Sequence, residues 1–374
     1  MAEEIVRINS EKDLEKKKLD ESWSQLPPEL LQLVSIHLFA EDFRTFRSIC
    51  KSWRSIKPTS RQLLSVLDST YSQIPCLMSV DYYKCSVFHP IYHDHMNIPE
   101  LCGATIRYSK YGWLLLSRSD CSVFFFHPFN KIKIELPGSH PFGTMCFSSP
   151  PTSADCLVIG VEVLGLEVGF IRRGELDWTI CQFRGYFGPA GCNPVIHNGK
   201  CYCLSNSGNV GVFDINECLR APNQHFHHWT IVSTGLPEHI RYSHQQSYMM
   251  EGNGGKLLAV FEVHDCEKCV YVFELNLSSS RSRMKWHEVR NLENKMLYVS
   301  PGGSFLESAR VKGMGNKIYL PNVQDNRNVF YSLQTKKYHS FFSDYSTRIS
   351  SHGKELNYST WIIPITTTDK EFNW

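Results

Sequence analysis

Hydrophobic positions follow two different patterns along this chain. Between residues 23 and 67 they recur at helical spacing, as in Leu30, Val34 and Leu38. Beyond residue 70 this periodicity fades, and short runs rich in β-branched and aromatic residues appear between Gly, Asn, Pro and Asp. The pattern predicts a small all-α domain at 23–67, followed by a large all-β domain at 70–374.

Two helices and a shorter third helical piece are expected in the first domain. Pro27 and Pro28 suit the start of the first helix, because a missing N–H costs nothing there. A second apolar run extends from Phe43 to Trp53, and Pro58 ends it. A third piece follows Pro58 and extends to Leu67.

The β region repeats one unit, in which a turn is followed by about three strands. Segments of this kind begin at Tyr111, His197, Gly252 and Gly315. The repetition makes about six units of roughly 40 to 60 residues, which is the period of β-propeller blades. We expect the terminal run Ser359–Ile365 to complete the first blade beside Cys76–Val80, because a ring must join its ends. A β-sandwich is the alternative fold.

Composition narrows the possible functions. Lys and Arg number 39 against 37 Asp and Glu, a net charge of +2, so no basic excess indicates nucleic-acid binding. Aromatic residues reach 13% while charged residues make up only 20%, which favours β structure. Residues 1–22 mix both charges without an apolar stripe, and we expect a disordered tail there.

The beginning of the sequence has no apolar core of the kind found in signal peptides. The longest apolar runs, such as Trp113 to Leu116, are far below the roughly 20 residues of a membrane span. We therefore expect no membrane partner, a location in the nucleus and/or cytoplasm, and reduced thiols for the 14 cysteines.

Candidate metal ligands are few and poorly spaced. Cys266 and Cys269 form a C-x-x-C pair and Cys201 and Cys203 a second close pair, whereas a structural zinc site needs four ligands together. The alternative is a hairpin turn that happens to carry thiols, so we expect no metal and no cofactor. The sequence contains neither G-x-S-x-G nor H-E-x-x-H, and we expect no catalytic residues.

The helical segment combines the Leu-Pro opening at Leu26, the Leu30-Leu31 pair, the ordered hydrophobic residues and the closing Cys-Lys-Ser-Trp-Arg from Cys50. In these features it resembles an F-box. One departure is Phe39-Ala-Glu, where many F-boxes carry a Pro between helices. The resemblance implies that residues 23–67 bind a Skp-family adaptor, which is itself bound to a cullin.

Several short stretches of the β region stand out, beginning at Gly112, His127, Pro194, Gly208, Leu257 and Asn316. In these stretches the β region resembles the KIB-type domain of plant F-box proteins, known as domain of unknown function 295. The resemblance implies a substrate receptor of an SCF-type ubiquitin ligase, a non-catalytic subunit whose β domain at 70–374 holds a protein for ubiquitination.

Site residues follow from the resemblance and from the expected fold. The adaptor-binding set, carried over by position, is Leu26, Pro27, Leu30, Leu31, Val34, Leu38, Phe46, Ile49, Cys50 and Trp53. Several of these residues also pack the F-box itself, and the sequence does not separate the two roles. Substrate is expected on the loop-rich face of the propeller, with Tyr186, Phe187, Arg241 and Tyr242 as candidates, although each could equally pack a blade.

Two alternative functions stay open at this stage. The chain could be a non-ligase protein that sequesters or inhibits a partner, its helical segment serving as a structural cap. It could also be a propeller enzyme that acts on a small molecule or glycan. Co-purification with an adaptor and a cullin separates the ligase subunit from the sequestering protein.

Overall fold

A computed structural model gives the fold, and the chain divides into two compact units, 1–73 with 91–95 and 74–90 with 96–374. The described residues are 25–35, 46–47, 49–56, 75–80, 85–88, 93–94, 98, 101–138, 140–222, 226–264, 268–277, 284–309, 314–324, 327–340, 354–355, 359–364 and 374. The expected tail at 1–22, the third helical piece and Leu38 lie outside them. Within the described ranges, no helix has the length and apolarity needed to cross a membrane.

The first unit contains two described helices, α1 (Pro28–Ser35) and α2 (Lys51–Ser55). As predicted, α1 starts at the proline pair, where the Pro27 carbonyl accepts the N–H groups of Leu30 and Leu31 at 3.1 Å. Three apolar side chains form the core of the unit, Leu31, Phe46 and Ile56, with Leu26 and Trp53 packed against them.

The described strands form six sheets, which we number along the chain. The first sheet, in the order β27-β1-β2-β3, consists of β1 (Cys76–Val80), β2 (Cys85–Phe88), β3 (His93–Asp94) and β27 (Ser359–Ile362). The second sheet consists of β4 (Thr105–Lys110), β5 (Trp113–Ser117), β6 (Val123–His127) and β7 (Ile132–Leu136). The third sheet consists of β8 (Thr144–Phe147), β9 (Leu157–Val161), β10 (Glu167–Arg172) and β11 (Thr179–Arg184), with β15 (His227–His228) parallel to β11.

The fourth and fifth sheets have four described strands each, and the sixth has six. The fourth sheet consists of β12 (Val195–His197), β13 (Lys200–Leu204), β14 (Val210–Asp214) and β16 (Thr230–Val232). The fifth consists of β17 (His244–Glu251), β18 (Lys256–His264), β19 (Lys268–Asn276) and β20 (His287–Glu288). The sixth, in the order β22-β21-β23-β24-β25 with β26 beside β23, consists of β21 (Lys295–Tyr298), β22 (Phe305–Ser308), β23 (Lys317–Gln324), β24 (Arg327–Ser332), β25 (Lys337–Ser340) and β26 (Lys354–Glu355). Short helices α3 (Ile215–Arg220) and α4 (Glu238–Arg241) lie in the connections around β16.

The six sheets close into a ring. Edge strands of successive sheets contact one another from β27 to β4, β8, β12, β17 and β22, and β23 of the sixth sheet returns to β27 of the first. The core is divided in the same way, into six apolar clusters that each join two successive sheets. The predicted β-propeller is confirmed, and β27 completes the first sheet by pairing with β1, as Leu77 opposite Trp361 shows.

The apolar runs in the sequence reflect burial of both faces of the central strands. In β5, Leu114 and Leu116 pack towards the first sheet, whereas Trp113 and Leu115 pack towards the third. Because both faces of the strand meet an apolar neighbour, the sequence shows continuous hydrophobic residues rather than alternation. A blade in a ring therefore needs its neighbours for stability.

Candidate functional site

The exposed side of α1 forms an apolar surface in the first unit. Leu31 points into the core and is fully buried, but Leu30, Leu33 and Val34 are exposed at 48%, 56% and 46%. These three residues share one side of the helix, because positions three and four apart are neighbours on it. Ile49 adds a further exposed apolar side chain. We call Leu30, Leu33, Val34 and Ile49 the apolar face.

The structure divides the predicted adaptor-binding set into side chains that pack the helical unit and side chains that are exposed. Leu31 and Phe46 are core residues, and Leu26 and Trp53 pack against them, with the Phe46 and Trp53 rings 4.5 Å apart. Cys50 is half-buried. The members with exposed side chains are Pro27, Leu30, Val34 and Ile49.

Leu33 was missing from the predicted set although it is exposed beside Leu30 and Val34. Its position three residues after Leu30 was the signal that could have identified it. The core residues shape the helical unit, whereas the apolar face is available to a partner.

The predicted substrate residues lie in two connections between sheets. Tyr186 follows β11, and Tyr242 follows α4; both are exposed, at 73% and 77%. Arg241 is half-buried, and its Nη2 donates to the Leu236 carbonyl at 3.2 Å. Phe187 is buried, so it packs a blade and does not present its ring to a partner.

The Phe187 ring stacks on Trp229 with 4.6 Å between centroids, in the cluster that joins the third and fourth sheets. Trp229 is fixed in turn by its Nε1, which donates to the Gly165 carbonyl at 2.7 Å. A loop position in the sequence did not reveal that this aromatic side chain turns inward. Tyr186 and Tyr242 therefore stand as the exposed aromatic candidates of that set.

A pocket of about 440 Å³ lies where the inner strands of the six sheets converge, and we call it the axial pocket. The second to sixth sheets contribute lining residues from their inner edges, and Ile363 adjoins β27 of the first. Aromatic lining residues are Tyr108, Tyr111, Phe147 and Phe305. Charged lining residues are Lys110, Glu251 and Glu307.

Hydrogen bonds and hairpin turns fix the rim of the axial pocket. Tyr111 has a φ of 56° in the two-residue turn between β4 and β5, a conformation common in tight hairpins, and its hydroxyl donates to the Ser148 carbonyl at 3.2 Å. Asn198 donates its amide to His197 Nε2 at 3.0 Å, so His197 Nδ1 carries the proton and donates to Glu251 at 2.9 Å. This bond links the fourth and fifth sheets.

Tyr108 lies at the wall of the axial pocket, with its ring edge-on to Phe147 at 5.2 Å. Burial raises the pKa of its hydroxyl well above the usual value, and nearby groups including Cys146 and Glu251 raise it further. The hydroxyl is therefore a neutral hydrogen-bonding group at physiological pH. Among the described residues, no group of three or more His, Cys, Asp or Glu side chains could hold a metal ion.

The described cysteines that were considered as zinc ligands lie in two different sheets. Cys201 and Cys203 are buried in the cluster between the third and fourth sheets, and Cys269 lies in β19 of the fifth. Cys266 lies outside the described residues. No disulfide joins the described cysteines.

Comparison with known proteins agrees with this architecture. The F-box domain model matches residues 23–58, and the KIB1-4 beta-propeller model matches residues 82–343. The chain is 30% identical to F-box/kelch-repeat protein At1g57790 of Arabidopsis thaliana over 340 residues, covering 85% of this chain and 88% of the relative. It is 31% identical to F-box/kelch-repeat protein At3g18720 of the same plant, covering 80% of each chain.

Among solved structures, BBS1N in complex with ARL6DN has a TM-score of 0.39 and 11% identity, over 64% of this chain and 76% of that chain. A likeness this low carries no argument.

The F-box, the β-propeller and the F-box relatives together support a general role in SCF substrate recognition, and F-box family members are typically non-catalytic adaptors. The chain belongs to the plant F-box proteins whose second domain is a KIB1-4 β-propeller.

Proposed function

We propose that this protein is a substrate receptor of an SCF-type ubiquitin ligase. Its F-box binds a Skp-family adaptor and, through it, a cullin, and its propeller binds a protein destined for ubiquitination. It acts in the nucleus and/or cytoplasm, as a subunit that binds and does not itself catalyse.

The observation that carries this proposal is the apolar face of the F-box. Leu30, Leu33, Val34 and Ile49 are each about half exposed, although a 36-residue unit has few apolar side chains to spare from its core. Burying a side chain of this kind fully contributes about 1.5–3 kcal/mol. An exposed apolar patch of this sort is typical of a binding surface.

The function follows without any catalytic side chain. A receptor that holds a substrate beside a charged conjugating enzyme raises the effective concentration of the substrate lysine. The propeller then needs only to bind, and its exposed Tyr186 and Tyr242 are suited to anchor a partner, because rigid aromatic side chains contribute much of the energy at interfaces.

The test is co-purification of the full chain with a Skp-family adaptor and a cullin. Leu30→Asp and Val34→Asp place a charge on the apolar face and leave the buried Leu31 in place, so both are expected to abolish co-purification. Leu176→Asp is the matched control, because Leu176 is 83% exposed in the propeller and undergoes the same chemical change. Normal co-purification of both F-box variants would refute the proposal.

A further inference from the structure

The axial pocket is built by residues that are distant in sequence. Tyr108 and Lys110 come from β4, Phe147 from β8, Glu251 from β17 and Glu307 from β22. Because five of the six sheets contribute to it, the pocket exists only in the assembled propeller. Its volume of about 440 Å³ lies in the range of protein pockets that enclose a ligand group.

The charges on the pocket wall are unequal. Two carboxylates, Glu251 and Glu307, oppose one ammonium, that of Lys110. The Lys110 ammonium lies 5.0 Å from the centre of the Tyr111 ring, so an aromatic face already engages it.

Both carboxylates have acceptor positions that the described residues leave unused. Among the described residues, Glu307 forms no ion pair, and Glu251 uses Oε1 alone, towards His197. A carboxylate has two oxygens and several acceptor positions, so both groups can accept further hydrogen bonds. The side chain of Glu251 is 45% exposed, which makes it accessible from solvent.

The uncharged part of the wall favours a flat cation. Phe305 and Tyr108 line the pocket with half-buried side chains, whereas Phe147 is buried, and the Tyr108 hydroxyl makes no hydrogen bond to the described residues. Aromatic faces attract cations, and guanidinium groups stack on them more often than ammonium groups do. A guanidinium also presents two parallel N–H donors to a carboxylate.

We propose that the axial pocket binds an arginine side chain of the protein held by the propeller. The guanidinium donates to Glu307 and to the second oxygen of Glu251, and it lies against the aromatic wall. This inference rests on the proposed function, which it extends by specifying a substrate with an exposed arginine in an extended segment.

The probe is an N-acetylated, C-amidated peptide of sequence Ala-Ser-Arg-Ser-Ala, and its partner carries citrulline in place of arginine. Citrulline keeps the shape of arginine and removes the charge. Binding of each peptide to the full chain is measured by calorimetry at low and high ionic strength. We expect the arginine peptide to bind about tenfold more tightly at low ionic strength, because charge-assisted hydrogen bonds are the stronger kind.

Substitutions inside and outside the pocket test where the arginine peptide binds. Glu307→Gln and Glu251→Gln should each weaken the arginine peptide about fivefold or more and leave the citrulline peptide nearly unchanged. Glu217→Gln, which removes an equal charge from exposed α3 outside the pocket, should change neither affinity. Circular dichroism melting curves confirm that each variant is folded.

Several outcomes would overturn the proposal. Equal affinity for the arginine and citrulline peptides, or full affinity in both pocket variants, would show that the carboxylates do not select a cation. Tighter binding of a glutamate peptide would show that Lys110 dominates the pocket. Adaptor co-purification is scored separately, so failure of the ligase assignment is distinguishable from failure of the arginine site.

Discussion

Trp361 on the last inner strand holds the propeller ring closed, and Trp361→Ala tests this role. The side chain is fully buried in the cluster that joins the first and sixth sheets. Its ring lies edge-on to Tyr298 at 5.1 Å, and its Nε1 donates to the Val299 carbonyl at 3.1 Å. Val299 directly follows β21 of the sixth sheet, whereas Trp361 pairs with Leu77 of the first, so one side chain joins the two ends of the ring.

The expected cost of Trp361→Ala follows from two losses. Removing a buried tryptophan ring typically costs about 3–5 kcal/mol, through lost burial and the cavity left behind. The Val299 carbonyl also loses its donor, which adds about 1 kcal/mol or more if water does not replace it. The total is a large fraction of the roughly 5–15 kcal/mol that stabilises a typical domain.

The assay is urea unfolding of the full chain followed by far-ultraviolet circular dichroism, with hydrogen exchange to locate the change. Trp361→Phe keeps an aromatic ring but not the indole N–H, and we expect an intermediate loss of about 1–3 kcal/mol. Amides of β1 should exchange faster in Trp361→Ala. Leu176→Ala, at an exposed site, should stay within about 0.5 kcal/mol of the wild type. A loss below about 1 kcal/mol in Trp361→Ala, with unchanged exchange in β1, would refute ring closure through β27.

Two further predictions concern the interior of the propeller. In Gly169→Ala the new Cβ would clash with the Phe142 ring, so we expect a loss of about 1–3 kcal/mol in urea unfolding, whereas Gly191→Ala, in open space, should be nearly neutral. A neutral Gly169→Ala would contradict the packing. Burial raises the pKa of the Cys192 thiol to about 12, so iodoacetamide at pH 8 should alkylate the exposed Cys121 and spare Cys192 until the protein unfolds, as read by peptide mass spectrometry. Below about pH 9 the Cys192 thiol is protonated in both the folded and the unfolded state, so its contribution to stability is fully present. Between about pH 9 and 12 only the unfolded thiol ionises, which favours unfolding, so this contribution is lost. Native alkylation of Cys192 as fast as that of Cys121 would contradict its burial.

The propeller was predictable because its signals are local and repeated. A two-residue turn with positive φ at Asn198 and Gly199 joins β12 to β13, as the Asn-Gly sequence suggests. The parallel pairing of β21 with β23 was not predictable, because a hairpin pattern does not show which edge of a sheet it joins. Helical spacing predicted α1 but could not show that Leu31 faces inward while Leu33 faces outward.

The axial pocket shows that the net charge of the whole chain does not predict the charge of an individual site. A net charge of +2 predicts little long-range steering, and the exposed side chains of the apolar face are uncharged as well. Yet Glu251 and Glu307, 56 positions apart in sequence, line the same pocket, together with a single ammonium, that of Lys110. Their excess negative charge acts over short distances, since salt screens charges beyond about 8–10 Å. The two proposed interactions should therefore differ in their response to ionic strength: added salt should weaken the proposed arginine contact in the pocket and leave the proposed adaptor binding at the apolar face largely intact.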